Sequence, residues 1–411
     1  MMRKTKIVWV IVLALLAAVL ACDLPFGGGQ PTAAPTSGGV APVNTEVSNQ
    51  ASPQPTDSGL QPPPTAEPTP GPAIPTAVLI SPPLVGGKYD WTALDAMLAS
   101  YVPGTVKGMT LIVARDGNAL FFKGYGDQAI YTIQPIASAS MVPSAMAILT
   151  LVDEGRLSLD EPIATYLAGQ VDFPADKAAI TMRMLLNNTS GIPQETPCVK
   201  QRSDMTLRKC AEEIINTPLE AAPGAQFGYS LAGYQLAGFV ATAITNLPWN
   251  QFFSERIAVP LGLSTYTYGK ENNPMGSDKG PRVDSGAATD ANDYNTILQM
   301  FLAGGQWNGK QILSPAMIAE MQKDQTAGLP KVRVPQKDLT IGYTFGFWIT
   351  NPAKHPGSNG PELTDQGYFG SMPWVDLSLR YSAVLLMKEK SSEGTDIWKA
   401  IRPLIIEQLL K

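Results

Sequence analysis

A serine hydroxyl and a tyrosine phenol in this sequence could take part in nucleophilic chemistry. Ser138 stands shortly before the apolar run of residues 145–152, and Tyr229 lies in PGAQFGYSLAGYQLAG, residues 223–238. A serine hydroxyl is a poor nucleophile until a neighbouring base takes its proton. The residue one helical turn after Ser138, on the same face of a helix, is Met141. A thioether has no titratable group, so Met141 cannot act as a base toward Ser138.

Ser138 has a possible structural role, and other residues of the chain could act as a base. Serine is favoured as a helix N-cap, which is the alternative role for Ser138. The single histidine, His355, sits in a loop-like Lys-His-Pro-Gly segment typical of a solvated side chain. Without a nearby cation, Tyr229 would keep a pKa near ~10 and be a poor base at neutral pH. Residues 228–232 approach the nucleophile elbow of α/β-hydrolases, but the closing glycine and the surrounding parallel-strand pattern are missing.

Strands at both ends of residues 88–411, with helices between them, must position these groups. Two apolar runs flank Asp116-Gly117 within residues 109–126, which predicts a β-hairpin. Helical patterns are predicted at 91–101, at 145–152 with Gly155 as the stop, and at 396–410 with Pro403 inside. Residues 343–349 and 381–387 are strand-like. This order predicts an α+β fold: an antiparallel sheet completed by distant parts of the chain, flanked by terminal helices, beside a mostly helical lobe.

The first 21 residues have the composition of a targeting signal. Arg3, Lys4 and Lys6 precede fifteen apolar residues, 7–21, which is short for a spanning helix of ~20 residues. The following residue is Cys22, and residues 19–22 resemble the lipobox of bacterial lipoproteins. That resemblance implies lipidation of Cys22 and an extracytoplasmic protein anchored to the outer face of the cytoplasmic membrane. An uncleaved anchor and a plain secretory peptide remain the alternatives.

Residues 22–87 are predicted to form a disordered tether after the lipidated cysteine. From 23 to 87 there are 15 prolines in 65 residues, no Lys, Arg or His, and one aromatic residue, Phe26. Such a segment cannot bury enough apolar area to offset the entropy cost of ordering. The domain boundaries predicted from the sequence are therefore 1–21, 22–87 and 88–411.

Charge and cysteine content exclude several classes of protein. The net charge is −5, from 30 basic and 35 acidic residues, which gives no basic surface for nucleic acid. One histidine and three cysteines exclude a His-rich zinc site and a disulfide-dense scaffold, and the sequence implies neither a metal nor a cofactor. Cys198 and Cys210 are predicted to form a disulfide in an oxidising compartment, with free thiols as the alternative.

Several segments, in order along the chain, resemble the serine β-lactamase and penicillin-binding family, in the branch around class C β-lactamases, DD-peptidases and related esterases. The similarity spans nearly all of residues 88–411. Its segments are IASASM (136–141), LLNNTSGIP (185–193), PGAQFGYSLAGYQLAG (223–238), PLGL (260–263), SGAATDANDYNTILQMFLAGGQWNGKQILSP (285–315) and DQGYFGSMPWVD (365–376). The resemblance implies a β-lactamase/transpeptidase-like fold and acyl transfer to Ser138, with Tyr229 as proton shuttle.

Three motifs of that family are altered in this sequence. Where the family has Ser-x-x-Lys, the lysine position is Met141; where it has Tyr-x-Asn, the asparagine position is Leu231. Where it has Lys-Thr-Gly or His-x-Gly, the residues are Asp365, Gln366 and Gly367. An acid in place of the cation would repel a carboxylate substrate and raise the pKa of a nearby phenol. General base catalysis contributes roughly 10²–10⁴ to a rate, so these replacements predict lost or very weak acyl transfer.

Three functions therefore compete at this point. The first is a membrane-tethered, non-catalytic member of the family that binds a peptidoglycan, peptide or small-molecule ligand, or a partner, in the cleft. The second is a weak serine hydrolase of esterase, DD-peptidase or β-lactamase type acting through Ser138. The third is a structural envelope domain without a ligand, which a cleft filled by side chains would favour. The sequence does not set the oligomeric state.

Overall fold

The computed structural model describes residues 82–200, 205–268, 280–335, 337, 340–355, 360 and 362–411. The predicted signal segment, Cys22 and the Pro-rich segment up to residue 81 lie outside the described residues. Within the described ranges, no helix has both the length and the apolar composition needed to cross a membrane.

Sixteen strands are distributed over the described part of the chain. In chain order they are β1 (Val85–Gly86), β2 (Tyr89–Asp90), β3 (Gly108–Arg115), β4 (Asn118–Gly126), β5 (Gln134–Pro135), β6 (Phe227–Gly228), β7 (Thr267–Tyr268), β8 (Ala287–Thr289), β9 (Gln306–Trp307), β10 (Lys310–Gln311), β11 (Lys331–Arg333), β12 (Thr340–Tyr343), β13 (Trp348–Thr350), β14 (Glu362–Thr364), β15 (Met372–Asp376) and β16 (Tyr381–Met387).

The α-helices of the same described residues fall mainly between the N-terminal and C-terminal strands. In chain order they are α1 (Thr92–Ser100), α2 (Met141–Asp153), α3 (Ile163–Tyr166), α4 (Met182–Leu186), α5 (Pro197–Lys200), α6 (Leu207–Asn216), α7 (Leu231–Thr245), α8 (Trp249–Phe253), α9 (Val259–Leu261), α10 (Ala291–Leu302), α11 (Pro315–Gln322) and α12 (Ser391–Leu409). Short 3₁₀ turns cover Ala137–Ser140 and Ala175–Lys177, and a π-helical turn covers Ser254–Ala258.

A seven-stranded sheet in the order β12-β13-β14-β15-β16-β3-β4 forms the centre of the fold. All of its neighbouring strands are antiparallel. Strand β16, near the C-terminus, pairs along its whole length with β3, near the N-terminal end of the described part. The predicted antiparallel sheet completed by distant parts of the chain is therefore confirmed.

Helices cover both faces of this sheet. On one face, the terminal helices α1 and α12 pack against each other and form one apolar cluster with the sheet. On the other face, α10 packs on β16 and β3, and the larger apolar cluster continues through α2 into the helical lobe. Because β3 is covered on both faces, its residues from Gly108 to Ala114 are all buried rather than alternately buried and exposed, and Thr110 is the polar side chain among them.

Most of the local predictions agree with the structure. Asp116 and Gly117, both with positive φ, form the tight turn of the β3–β4 hairpin. Helix α1 buries Leu94 and Leu98 as its pattern predicts, and Gly155, with φ of +68°, follows the end of α2. The last helix includes Pro403 but begins earlier than predicted, at Ser391.

Two sequence expectations differ from the structure. Residues 343–349 are not one strand, because the chain reverses between β12 and β13 at Gly346, which has φ of +99°. A Cβ at Gly346 would lie 2.8 Å from the side chain of Val142, so the reversal packs tightly against α2. The boundary predicted at residue 88 falls inside the β1–β2 hairpin, so the folded part includes residues before it.

Candidate active site

Ser138 lies on a 3₁₀ turn, Ala137–Ser140, which leads directly into α2. Strand β5, just before this turn, pairs with β8, and the Ile136 N–H donates to the carbonyl oxygen of Ala287 over 3.0 Å. Ala137 has φ of +49°, a left-handed conformation that costs an alanine of order 1 kcal/mol and is concentrated at functional sites. The strained residue immediately before Ser138 thus marks this turn as a candidate site.

The structure does not place Ser138 at the helix N-cap, which corrects the alternative role considered above. Helix α2 follows Ser140, whose hydroxyl donates to the carbonyl oxygen of Ala137 over 2.6 Å and accepts from the Ala287 N–H over 3.0 Å. Ser138 is half-buried and lines a cleft together with Tyr229, and its side chain is near enough to lower the pKa of that phenol. Its hydroxyl is therefore available to a ligand, as a nucleophile requires.

Met141 is fully buried beside these two residues. The Tyr229 hydroxyl lies 3.4 Å from the Met141 sulfur, and the Tyr343 hydroxyl lies 3.6 Å from the same atom. Both phenols therefore donate to a thioether, which is a weak acceptor and cannot take a proton from Ser138 at neutral pH. Sequence reasoning missed Tyr343, which is 202 positions from Met141 and carries no motif of its own.

Tyr229 is held by main-chain pairing on both sides. Strand β6, directly before it, runs parallel to β11, and the Tyr229 N–H donates to the carbonyl oxygen of Arg333 over 3.1 Å. Asn188 accepts from the N–H groups of the two flanking residues, Gly228 and Ser230, each over 3.0 Å. Asn188 therefore positions the phenol by fixing the backbone before and after it.

Burial raises the pKa of Tyr229 above the usual range of a phenol. The nearby Ser138 side chain opposes that shift, while the negative charges of Asp365 and Asp284 add to it. The sequence predicted that an acid at the third motif would raise the pKa of a nearby phenol, and the direction is the same here. A phenol with a raised pKa stays protonated at neutral pH and does not act as a base toward Ser138.

Leu231 is half-buried, lines the cleft, and is the first residue of α7. The residue before it, Ser230, is the N-cap of α7: its hydroxyl accepts from the Gly233 N–H over 3.0 Å and donates to the carbonyl oxygen of Pro193 over 2.8 Å. Ser230 is also only 1 % exposed. Both facts exclude Ser230 as the nucleophile of an α/β-hydrolase elbow.

Asp365 points away from the cleft rather than into it. Its carboxyl is buried, accepts from the Val142 N–H over 3.3 Å, and contacts the Tyr294 hydroxyl over 2.6 Å. The same hydroxyl lies 2.9 Å from the carbonyl oxygen of Ala139. A phenol has one hydrogen, so Tyr294 shares its donation between the Asp365 carboxyl and the carbonyl oxygen of Ala139.

Burial also raises the pKa of Asp365, to about 8. Hydrogen bonds from Tyr294 and Val142 oppose the shift without cancelling it. A largely neutral, inward-facing carboxyl repels a carboxylate in the cleft much less than the sequence predicted. The sequence identified the replacement at this motif, but the side-chain direction depends on packing against α2.

Gly367 is required by a close approach of two segments. A Cβ there would lie 2.1 Å from both the carbonyl oxygen of Ile136 and the hydroxyl of Ser371. The Gly367 N–H donates to the carbonyl oxygen of Ser371 over 2.9 Å. The glycine of the third motif therefore allows close packing beside the Ser138 turn, while Asp365, two residues earlier, points away from the cleft.

The cleft beside Ser138 has a volume of about 450 Å³ and is open to solvent. Three groups of residues line it: the candidate site residues Ser138, Tyr229, Leu231 and Gly367; the apolar side chains Ala137, Val199, Pro335, Trp348 and Tyr368; and the polar side chains Gln194, Glu195, Lys200, Arg282, Ser285, Gln366 and Ser391. A cavity of this size is typical of small-ligand sites. It is not filled by side chains, contrary to what a purely structural domain would show.

The predicted disulfide between Cys198 and Cys210 is present and links α5 to α6. Helix α5 contributes Val199 and Lys200 to the cleft, so the bridge braces one of its walls. His355 is not among the residues that line the cleft; its ring packs against Trp398, with centroids 5.0 Å apart. Among the described residues, no three His, Cys, Asp or Glu side chains are grouped as a metal site would require.

The fold and this cleft have counterparts in known proteins. A family model described as beta-lactamase matches residues 94–404, about three-quarters of the chain. The chain belongs to the beta-lactamase family. The resemblance carried by its motifs is therefore confirmed, and so is the β-lactamase/transpeptidase-like fold.

Two curated relatives are similar to part of the chain. The chain is 28 % identical over 228 residues to a proposed D-alanyl-D-alanine carboxypeptidase of Escherichia coli O157:H7, a match that covers 48 % of this chain and 50 % of the relative. It is 26 % identical over 180 residues to protein flp of Staphylococcus aureus strain MW2, covering 41 % and 36 % of the two chains. This chain thus spans half or less of the length of these curated relatives.

Among solved structures, the penicillin-binding protein homologue from Pyrococcus abyssi has a TM-score of 0.62 at 19 % identity, and the match covers 77 % of this chain and 76 % of that one. At this identity the likeness shows the beta-lactamase family fold alone. What the cleft of this family member does must be argued from its own residues.

Proposed function

We propose that this beta-lactamase family protein binds a ligand of the cell envelope in its cleft and transfers acyl groups either not at all or very slowly. The observation that supports this most directly is the Met141 sulfur, 3.4 Å from the Tyr229 hydroxyl, at the position where the family's motif has its base. A thioether cannot accept the Ser138 proton. The raised pKa of Tyr229 leaves the neighbouring phenol unsuited to the task as well.

The same proposal includes the predicted location. A lipidated Cys22 and the Pro-rich segment that follows it would hold the domain on the outer face of the cytoplasmic membrane, within reach of peptidoglycan. The open cleft of about 450 Å³ favours a small ligand over a purely structural role.

Covalent labelling of the full chain tests the loss of acyl transfer. A fluorescent penicillin and a fluorophosphonate probe should leave Ser138 unmodified at micromolar concentration over an hour, as detected by gel fluorescence and peptide mass spectrometry. The Ser138→Ala variant sets the background. Rapid, stoichiometric labelling that disappears in Ser138→Ala would contradict the proposal.

A weak serine hydrolase is the second candidate, and one observation favours it. Ser138 is accessible from the cleft, and Tyr229 lines the same cleft beside it. Activated esters, which need little base assistance, would be its substrates rather than amides. Hydrolysis of a p-nitrophenyl ester that requires Ser138 would support this candidate, and equal rates for the parent and Ser138→Ala would exclude it.

A further inference from the structure

One wall of the cleft has charged and polar groups that acyl transfer by Ser138 would not use. We call it the α5 wall; it consists of Glu195, Val199, Lys200, Arg282 and Ser285, all of which line the cavity. None of these residues belongs to the three motifs discussed above. The disulfide holds this wall at α5, while Arg282 and Ser285 lie shortly before β8.

Arg282 gives the α5 wall its rigidity without adding net charge. It is 6 % exposed and pairs with the fully buried Asp284 through two hydrogen bonds, of 2.9 Å from Nε and 2.7 Å from Nη2. Its Nη1 donates to the carbonyl oxygen of Val199 over 2.6 Å, which ties α5 to the segment before β8. A guanidinium has five N–H groups, so these three bonds leave donors for a ligand.

Ser285 in the α5 wall has a hydroxyl group to which a ligand could supply a hydrogen-bond partner. Its side chain is 2 % exposed, it lines the cleft, and its hydroxyl has no hydrogen-bond partner among the described residues. A buried hydroxyl without a partner costs ~1–3 kcal/mol. A ligand acceptor at this position would remove that cost.

Glu195 and Lys200 supply two opposite charges at the mouth of the same wall. Glu195 is half-buried and Lys200 is exposed. Within the described residues neither forms an ion pair within 4.0 Å, although Glu195 is near enough to raise the pKa of Arg282 electrostatically. Each charge is therefore open to an opposite charge from a ligand.

We propose that the α5 wall binds a free amino acid or a dipeptide in its zwitterionic form. The carboxylate is bound by Lys200 and the Ser285 hydroxyl, and the ammonium group is bound by Glu195. The two acids and two bases of the region, Asp284 and Glu195 against Arg282 and Lys200, balance each other. The wall thus selects a ligand with both charges over a simple anion. This inference rests on the proposed function, since it names the ligand class of the same cleft.

Titration calorimetry with four dipeptide forms tests the proposal. Alanyl-alanine in its L,L and D,D configurations has both charges; the N-acetylated form lacks the ammonium group, and the C-terminal amide lacks the carboxylate. The titrations use full-length Ser138→Ala, so that binding is measured without chemistry at the serine. At least one unblocked dipeptide should bind ten or more times tighter than either of its blocked forms.

Three substitutions assign the charges to residues. Glu195→Gln should abolish the preference for the free ammonium group, and Lys200→Met should abolish the preference for the free carboxylate. Ser285→Ala should weaken the unblocked and acetylated forms more than the amide. Lys209→Met and Glu407→Gln, at exposed positions that do not line the cleft, are matched controls and should leave all affinities unchanged.

The outcomes separate this inference from the proposed function. Equal affinity for blocked and unblocked dipeptides, or no binding of any form at 10 mM, would overturn the α5 wall as a zwitterion site. Labelling of Ser138 in the parent chain would instead overturn the proposed lack of acyl transfer, whatever the dipeptide affinities are.

Discussion

The Tyr229 hydroxyl donates to the Met141 sulfur across 3.4 Å, at the place where acyl transfer to Ser138 would need a base. The Tyr343 hydroxyl approaches the same sulfur from 3.6 Å. Two phenol hydroxyls thus approach a thioether at the position where the family's motif has lysine. The reactivity of Ser138 should therefore depend on the residue at position 141 more than on any other residue of the cleft.

Restoring a base should restore reactivity. In Met141→Lys with Leu231→Asn, the amine would be surrounded by two phenols, and burial would lower its pKa and keep it partly neutral. We expect fluorophosphonate to label Ser138 at least tenfold faster than in the parent chain, since a general base contributes roughly 10²–10⁴. Asp365 is left unchanged, because a histidine there would break its contacts with Tyr294 and Val142.

Met141→Leu together with Leu231→Asn is the matched control, because leucine fills the same space without a titratable group. Equal labelling rates for the lysine and leucine variants would show that Ser138 does not share a reactive geometry with position 141. Ser138→Ala in the lysine background should remove all labelling.

Asp365 should make the stability of the folded chain depend on pH. Its pKa is raised from 3.8 to about 8 by burial, so between these values the folded chain keeps a proton that the unfolded chain releases. The free energy of unfolding should therefore fall as pH rises from about 4 to about 8, by about 1.4 kcal/mol for each unit of pKa difference. Urea unfolding at pH 5, 6.5 and 8 measures this slope.

Asp365→Asn should reduce that slope, because an amide oxygen in place of Oδ2 can accept from both Tyr294 and Val142 without titrating. The exposed Asp396→Asn variant is the control and should keep the slope of the parent chain. A slope that is unchanged in Asp365→Asn would contradict a buried, protonated carboxyl.

Reduction of the Cys198–Cys210 bridge should destabilise the chain and loosen the cleft wall. Closing a loop with this separation of 12 residues contributes roughly 3 kcal/mol. Dithiothreitol should lower the free energy of unfolding of the parent chain by this order. The Cys198→Ser/Cys210→Ser double variant should have the same free energy of unfolding with and without the reductant. If the reductant destabilises this variant further, its effect on the parent chain does not come from the Cys198–Cys210 bridge alone.

Asn188 should be needed to hold Tyr229 in place. Asn188→Ala removes the acceptor of the Ser230 N–H and leaves an alanine at φ of +60°, and we expect a loss of about 1–3 kcal/mol in urea unfolding. Asn188→Gly removes the same side chain but tolerates this φ, so it should lose less. If both variants lose the same stability, the lost side-chain hydrogen bond rather than backbone strain accounts for the loss. If both are as stable as the parent chain, Asn188 is not needed to hold Tyr229 in place.

Local patterns were enough to predict much of the fold. The Asp116-Gly117 turn, the strand Tyr381–Met387 and the Cys198–Cys210 bridge each depend on residues near one another in sequence or on one pair, and each was predicted. The break at Gly346 was not predicted, because it depends on the approach of Val142 from a distant helix.

The candidate site was predicted only in part for the same reason. The motif positions identified Ser138, Tyr229 and the replacement at Met141. The inward turn of Asp365 depends on its contact with Tyr294, and the α5 wall depends on a disulfide and a buried ion pair acting together. No local pattern encodes contacts that join segments so far apart.

The pairing of β16 with β3 has a consequence for synthesis. A growing polypeptide cannot close its central sheet until residues 381–387 have left the ribosome. Before that moment the apolar edge of β3 has only β4 beside it and is open to unwanted association. A premature stop a few dozen codons short would therefore yield an aggregating fragment rather than a smaller working protein.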